Sequence, residues 1–291
     1  YFWYLLLFIF GSAIGSFLNV LTIRYQPDKS LLSRDVISGR SSCPFCRNRL
    51  KWYELIPLFS FFIQKGRCRD CRQKLSWQYP IVELLTGLLF VLIFRRLFFI
   101  YNPFHLVLLG ESLFSFYLIT VLWLIIAVVY LTISIIDLKH QIIPDGLNIF
   151  LFLIVLGLIA GGFQNSFLGP YKLLFGPQNI NIWINHLIAG LAALLFFVLI
   201  FFLWQGKGMG LGDLKLVAVS GFLLGWPDIS LALILAFFSG ALVSIFLMLY
   251  KKKTFKDSVP FGPFLTLGVF LVFFFGEIIL RFYFNLLELL S

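Results

Sequence analysis

Leu113-Phe-Ser-Phe-Tyr-Leu-Ile-Thr-Val-Leu-Trp-Leu-Ile-Ile-Ala-Val-Val-Tyr-Leu-Thr-Ile-Ser-Ile-Ile136 carries no charge along its whole length and then meets Asp137. A helix needs about 20 apolar residues to cross roughly 30 Å of hydrocarbon. This stretch exceeds that length and predicts a membrane-spanning helix with a carboxylate at one end. Similar runs lie on both sides of it, at about Tyr1–Ile23, Pro80–Ile100, Leu147–Gly162, Ile182–Trp204, Ile229–Tyr250 and Phe264–Leu287. Composition agrees: 60% of the residues are hydrophobic and 12% charged, against about 25% charged in soluble domains. The expectation is an all-α polytopic membrane protein. The first run is too long for a signal-peptide core and lacks a small-residue cleavage site, so it reads as a retained helix.

A shorter apolar piece, Leu214–Trp226, is short for an upright span but is acceptable where protein or water surrounds it. Counting it gives about eight helices. Basic residues in short loops mark the cytoplasmic side. Roughly a dozen of the 23 lie in the polar stretch Arg24–Tyr79, and Lys139, Lys207 and Lys251–Lys253 mark other loops. With eight helices all four regions share one face; with seven, Lys251–Lys253 would fall outside. The net charge of +10 is thereby explained by loop lysines and arginines, and nucleic acid is not an expected partner.

All four cysteines lie in that polar stretch, as Cys43-Pro-Phe-Cys46 and Cys68-Arg-Asp-Cys71. Two such elements, separated by slightly more than the usual ~15–20 residues, read as a closed tetrahedral zinc site. A paired-disulfide alternative is disfavoured on the cytoplasmic side, where thiols stay reduced. The site would staple a loop too small to hold a core of its own. Three segments result: a first helix over 1–23, a cytoplasmic zinc-ribbon-like loop over 24–79, and a membrane domain over 80–291.

Acidic residues number only 13, so their positions carry weight. Asp137 closes an apolar run, where a carboxylate is costly unless it faces a cavity or the interface. Asp213 ends Gly208-Met-Gly-Leu-Gly-Asp213, where an ordinary helix N-cap is the simplest account. Taken together, two carboxylates at one membrane face can share a proton. One can then act as general base on a water while the other protonates the carbonyl or the leaving amine. No G-x-S-x-G elbow or HExxH is present, and His105, His140 and His186 are scattered.

With these elements in hand, the chain resembles the type IV prepilin peptidase family of GxGD aspartic proteases along nearly its whole length. Gly15-Ser-Phe-Leu-Asn-Val20 with Arg24, the cysteine loop with Trp52-Tyr-Glu-Leu-Ile-Pro57, and Tyr79-Pro80 with Glu83 are similar to that family's N-terminal motifs. Asp137 with Ile143-Pro-Asp145, Gly210-Leu-Gly-Asp213-Leu-Lys215, and Val259-Pro-Phe-Gly-Pro-Phe264 are similar to its later ones. Gln78 departs from the Arg often found before Tyr-Pro. The resemblance implies endoproteolysis of the basic leader of type IV prepilins or pseudopilins, with Asp137 and Asp213 as the catalytic pair. It implies a bacterial cytoplasmic (inner) membrane location, with the active site facing the cytoplasm and membrane lipid around the helices. It also implies N-methylation of the new N-terminus with S-adenosylmethionine, for which Glu54 is a candidate. Gly210, Gly212 and Lys215 are candidate substrate contacts, the glycine-rich strand pairing with an extended peptide. A proton-coupled transporter using the same aspartates is the alternative.

Overall fold

In the computed structural model, residues 2–27, 33, 39–101, 113–162, 167–168, 181–206, 210–250 and 258–290 are described. His105, Lys207, Gly208, Met209 and Lys251–Lys253 lie outside them. Among the described residues the regular elements are all helical: α1 (Phe2–Arg24), a 3₁₀ turn (Trp52–Leu55), α2 (Phe59–Ile63), α3 (Gln78–Tyr101), α4 (Leu113–His140), α5 (Asp145–Ala160), α6 (Ile182–Leu203), α7 (Leu211–Leu224), α8 (Asp228–Leu249) and α9 (Gly262–Leu290). Six of these, α1, α3, α4, α6, α8 and α9, are long and apolar enough to cross a membrane. The chain is a multi-pass membrane protein. The two remaining expected spans form as shorter helices, α5 with 16 residues and α7 with 14. At 1.5 Å per residue these are roughly 24 Å and 21 Å long, short of a full hydrocarbon crossing.

The chain forms two compact units, Tyr1–Thr132 and Ile133–Ser291. In the first, α1 lies against α3, and small residues set the distance. A Cβ on Gly15 would come within 2.8 Å of the Glu83 Cα, and one on Gly87 within 2.5 Å of the Ser12 Oγ. Close approach through small residues is how membrane helices gain packing energy when apolar burial gives none. Asn19 is buried on the same face of α1 and its Nδ2 donates to the Tyr79 carbonyl at 3.1 Å. The Gly15–Val20 motif and the Tyr79–Glu83 segment are therefore packing partners of each other. Gln78 donates from Nε2 to the Asn19 Oδ1 at 3.4 Å.

In the second unit α7 is the central element. It contacts α5, α6, α8 and α9, and most of its side chains are buried, from Leu214 to Leu224. A helix walled in by protein need not span lipid, which accounts for its short length. Its crossing with α6 is tight: a Cβ on Gly221 would fall 2.7 Å from the Gly190 Cα. By contrast α6 and α8 expose Leu195, Phe202, Phe238 and Ile245. In a membrane protein such side chains meet lipid, and the feature is ordinary there.

Candidate functional site

The cysteine module is two copies of one turn. The Cys43 N–H donates to the Asn48 carbonyl at 3.0 Å, and the Arg47 N–H to the Cys43 carbonyl at 3.0 Å. At the same offsets, the Cys68 N–H donates to Gln73 at 2.9 Å and the Arg72 N–H to Cys68 at 3.0 Å. Arg47 and Arg72 each take a left-handed conformation, φ 59° and 58°, closing the turn. Isolated antiparallel bridges, Ser42 to Arg49 and Arg67 to Lys74, flank the two turns. The Asn48 Nδ2 donates to the Asp70 carboxylate at 3.2 Å, tying one turn to the other.

All four sulfurs lie within 4.8 Å of one another, and none is in a disulfide. Four thiolates around a zinc ion at about 2.3 Å would need S···S separations of roughly 3.8 Å; the Cys43 and Cys71 sulfurs stand 3.9 Å apart. The donor set fits a tetrahedral metal. Burial pushes the Cys43 thiol up, but the N–H groups of Cys46 and Phe45 and the neighbouring thiols outweigh it and bring it down to about 7. For Cys46 the Asn48 N–H pulls down, while burial and the other thiols push it up to about 11. Four thiols this close cannot all ionise unless a cation joins them.

The aspartates belong to the second unit. Asp137 is buried near the C-terminal end of α4, where it accepts the Gly262 N–H on Oδ2 at 2.9 Å. Gly262 opens α9 within Val259-Pro-Phe-Gly-Pro-Phe264. A Cβ there would lie 2.7 Å from that carboxylate oxygen, so only glycine allows the contact. Phe261 anchors the segment by packing on Phe197 and Phe237, with ring centroids 5.5 Å and 5.4 Å away. On the other flank, Gln141 and Ser258 exchange hydrogen bonds at 3.3 Å and 2.9 Å. The sequence marks the Pro-Phe-Gly-Pro string as a motif but not as the support of Asp137; a glycine beside two prolines at a helix start is the one signal it offers.

Asp213 sits in the first turn of α7. The helix N-cap is Gly210, and Asp213 reaches back to accept its N–H at 3.0 Å, while its own N–H donates to the Gly210 carbonyl at 3.1 Å. Asp213 is thus the third residue of the helix and not its N-cap as the sequence suggests: its carboxylate takes the N–H of the capping residue, Gly210. Asp213 is half-buried and close enough to act electrostatically on Asp137. Gly212 packs tightly, since a Cβ would lie 2.9 Å from the Ile143 Cβ, whereas one on Gly210 would make only ordinary contact. Lys215 is half-exposed and pairs with Asp145 at 2.7 Å. Glu54, in the first unit, accepts the Lys51 N–H at 2.8 Å. His140 ends α4, and the buried His186 faces the Phe222 carbonyl across 2.8 Å.

Known proteins match both halves of this description. Residues 9–97 match the bacterial peptidase A24 N-terminal domain, and residues 123–245 match the type IV leader peptidase family. A Bacillus subtilis prepilin leader peptidase/N-methyltransferase is 32% identical, covering 96% of this chain and 96% of its own. Its counterpart from Aeromonas salmonicida is 33% identical over 96% of this chain and 92% of its own, and that from Legionella pneumophila 29% over 97% and 95%.

The chain belongs to the type IV leader peptidase family.

No solved structure matches it. Within this leader peptidase the N-terminal match covers most of α1, the cysteine module and most of α3, and the second match covers most of α4, α5 to α7 and most of α8. Gly262 lies beyond the second match, although its N–H is the partner of Asp137.

Proposed function

We propose that this leader peptidase hydrolyses the peptide bond that joins the basic leader of a type IV prepilin or pseudopilin to its apolar helix, at the cytoplasmic face of the bacterial cytoplasmic (inner) membrane. Asp137 and Asp213 are the catalytic pair. The observation that carries this is that the second unit holds both carboxylates by a single backbone N–H each, Asp137 by Gly262 and Asp213 by Gly210. One aspartate, ionised, takes a proton from water as its oxygen bonds to the scissile carbonyl carbon. The other, protonated, supplies the proton that the departing amine needs when the C–N bond breaks. Neither step needs a serine or cysteine nucleophile.

The substrate's apolar segment lies in lipid beside the exposed helix faces, and the leader reaches the aspartates from the aqueous side. Gly210 and Gly212 keep side chains away from the approach to Asp213, and Lys215 with Asp145 borders it. On this reading 1–23 anchors the chain, 24–79 is a cytoplasmic module stapled by a structural zinc ion on Cys43, Cys46, Cys68 and Cys71, and 80–291 is the membrane peptidase domain. The reading includes N-methylation of the new N-terminus by S-adenosylmethionine, an activity that the names of the relatives carry. Glu54, whose module borders a cavity in the first unit, is the candidate for the amine.

The test is cleavage of a prepilin by the purified protein, read by mass spectrometry, with and without S-adenosylmethionine. Loss of the shortened product in both Asp137→Asn and Asp213→Asn is the expected result. Cleavage that survives either change, or proton-driven uptake by reconstituted protein with no cleavage, overturns the proposal in favour of transport.

A further inference from the structure

We infer that Asn148 binds the substrate: from a groove between α5 and α7, its side-chain amide hydrogen-bonds the N–H and C=O of one prepilin residue just past the cleaved bond. This rests on the prepilin reading above and adds to it a residue that takes hold of the substrate backbone.

Asn148 is buried, at 4% exposed. Neither its Nδ2 nor its Oδ1 has a hydrogen-bond partner; among the described residues the other buried side-chain atoms of that kind are the hydroxyls of Ser12 and Ser33. An unpaired buried amide is costly, and at membrane depth no bulk water relieves it. Elsewhere the fold satisfies its amides. Asn19 uses both amide atoms, on the Tyr79 carbonyl and on the Gln78 Nε2. Asn185 shows what such an amide does with a peptide. Its Nδ2 donates to the Trp226 carbonyl at 3.0 Å, and its Oδ1 accepts the Trp226 N–H at 3.1 Å. One side chain thus takes both backbone groups of one residue.

The position of Asn148 suits the same pairing with a substrate. It borders a groove of about 340 Å³, walled by Ile149 and Phe152 of α5 and Val219 of α7, with the Asp145–Lys215 pair at its polar end. Lys215 is two residues on from Asp213, and Ile143, just before α5, lies against Gly212. The groove therefore starts beside the aspartate and runs inward along α7. From Asp213 to Val219 the helix rises roughly 9 Å, which an extended chain covers in about three residues. A peptide cut at Asp213 is drawn out of its helix there, and each residue so drawn leaves an N–H and a C=O to be satisfied inside the bilayer. Asn148 offers one donor and one acceptor for that purpose. Ile149 is exposed, so the groove is open toward lipid, from which the apolar segment arrives. A lipid acyl chain would cover the apolar walls but leave the amide unpaired.

The test pairs Asn148→Leu with synthetic prepilin segments in which each peptide bond past the cleaved one is replaced, in turn, by an ester. The ester removes the N–H and weakens the carbonyl as an acceptor. Cleavage by the full-length protein in detergent is followed over a range of substrate concentrations. With the all-amide substrate, kcat/KM should fall about tenfold in Asn148→Leu, mainly through KM. The thermal midpoint should hold or rise, because an unpaired buried amide has gone. One ester, within about three residues of the cut, should cost the unaltered protein a similar factor and cost Asn148→Leu almost nothing further, as expected of a shared contact. Ester losses that multiply with the Asn148→Leu loss at every position, or a lower midpoint with KM unchanged, make Asn148 a packing residue and overturn the inference. Cleavage that Asn148→Leu leaves intact overturns it alone and spares the prepilin reading. If the unaltered protein cleaves no prepilin, that reading fails and the inference falls with it. Should Asn148→Leu not fold, Asp213→Asn protein is irradiated with a prepilin carrying a photoreactive phenylalanine analogue just past the uncut bond. Adducts within 145–152 or 215–219 support the groove, and adducts confined to other residues overturn it.

Discussion

The turns that aim Cys43 and Cys68 are built from residues within five positions of each cysteine, whereas Asp137 takes its N–H from Gly262, 125 positions away. Both regions bring a few side chains to one point. The module does so by repeating a local turn, so its geometry travels with its sequence. The aspartate site depends on α4, α7 and α9 coming together, so its geometry is a property of the packed unit. Asp213 stands between the two cases. Its anchor, Gly210, is local, but its proximity to Asp137 is not. Changes to the module should therefore act on local stability, and changes around the aspartates should act on chemistry.

The strongest test of that division is Asp137→Asn beside Asp213→Asn. Each should lower prepilin cleavage by about 10²- to 10⁴-fold and leave the melting temperature in detergent nearly unchanged, measured by product mass and by thermal unfolding. A rise in stability with loss of cleavage would sharpen the contrast, since a functional carboxylate pair is held close against its own repulsion.

Gly262→Ala probes the long-range support itself. Its methyl would stand 2.7 Å from the Asp137 Oδ2, so the carboxylate must move. Misplacing a catalytic group by about 1 Å can cost up to about 10²-fold, and a fall in the cleavage rate of that order is expected with α9 still folded. A Gly262→Ala enzyme as fast as the parent would show that the Gly262 contact does not position Asp137.

Removing a ligand from the module should have the opposite signature. Cys43→Ser, or a strong chelator, should strip zinc as read by atomic emission. Limited proteolysis between 39 and 77 should then become several-fold faster, because metal binding is folding free energy for a loop this small. The thermal transition of the second unit should stay in place. Unchanged proteolysis after zinc is lost would break the comparison.

The smallest effect separates two glycines of one motif. Gly212→Ala places a methyl 2.9 Å from the Ile143 Cβ, while Gly210→Ala makes only ordinary contact. Overpacking of that kind costs about 1–3 kcal/mol, so Gly212→Ala should lower the denaturation midpoint clearly. Gly210→Ala should leave it almost unmoved. Gly210→Val extends the series toward substrate approach: slower cleavage with stability retained supports a role for open backbone there, and unaffected cleavage removes it.

Much of the site is legible in the sequence, for identifiable reasons. Asp137 stands out because a carboxylate after a long uncharged run is expensive, and Asp213 because glycines precede it at a helix start. The cysteines are legible because metal-ligand spacing is short and repeated. Gly262 is hidden because its role is a single N–H aimed at an atom far along the chain, and glycine has no side chain to announce it. The surroundings of Glu83 are hidden for a related reason. The sequence marks it as part of a motif with Tyr79-Pro80, and only the fold shows Leu58 and Ser16 closing on it.

Length and hydropathy by themselves determined that the chain is helical, membrane-spanning and divided by a polar loop, because lipid leaves a buried backbone few ways to satisfy its hydrogen bonds. Spacing by itself determined the paired cysteine turns, because their bonds close within five residues. Tertiary structure alone decided that α5 stops short of a full crossing, that the short α7 is enclosed by four other helices, and that Gly262 supports Asp137. It alone decided that α1, the module and α3 enclose a cavity with carboxyls of Glu54 and Glu83 on its border. Those features depend on distances between segments remote in sequence, which packing sets and local pattern does not.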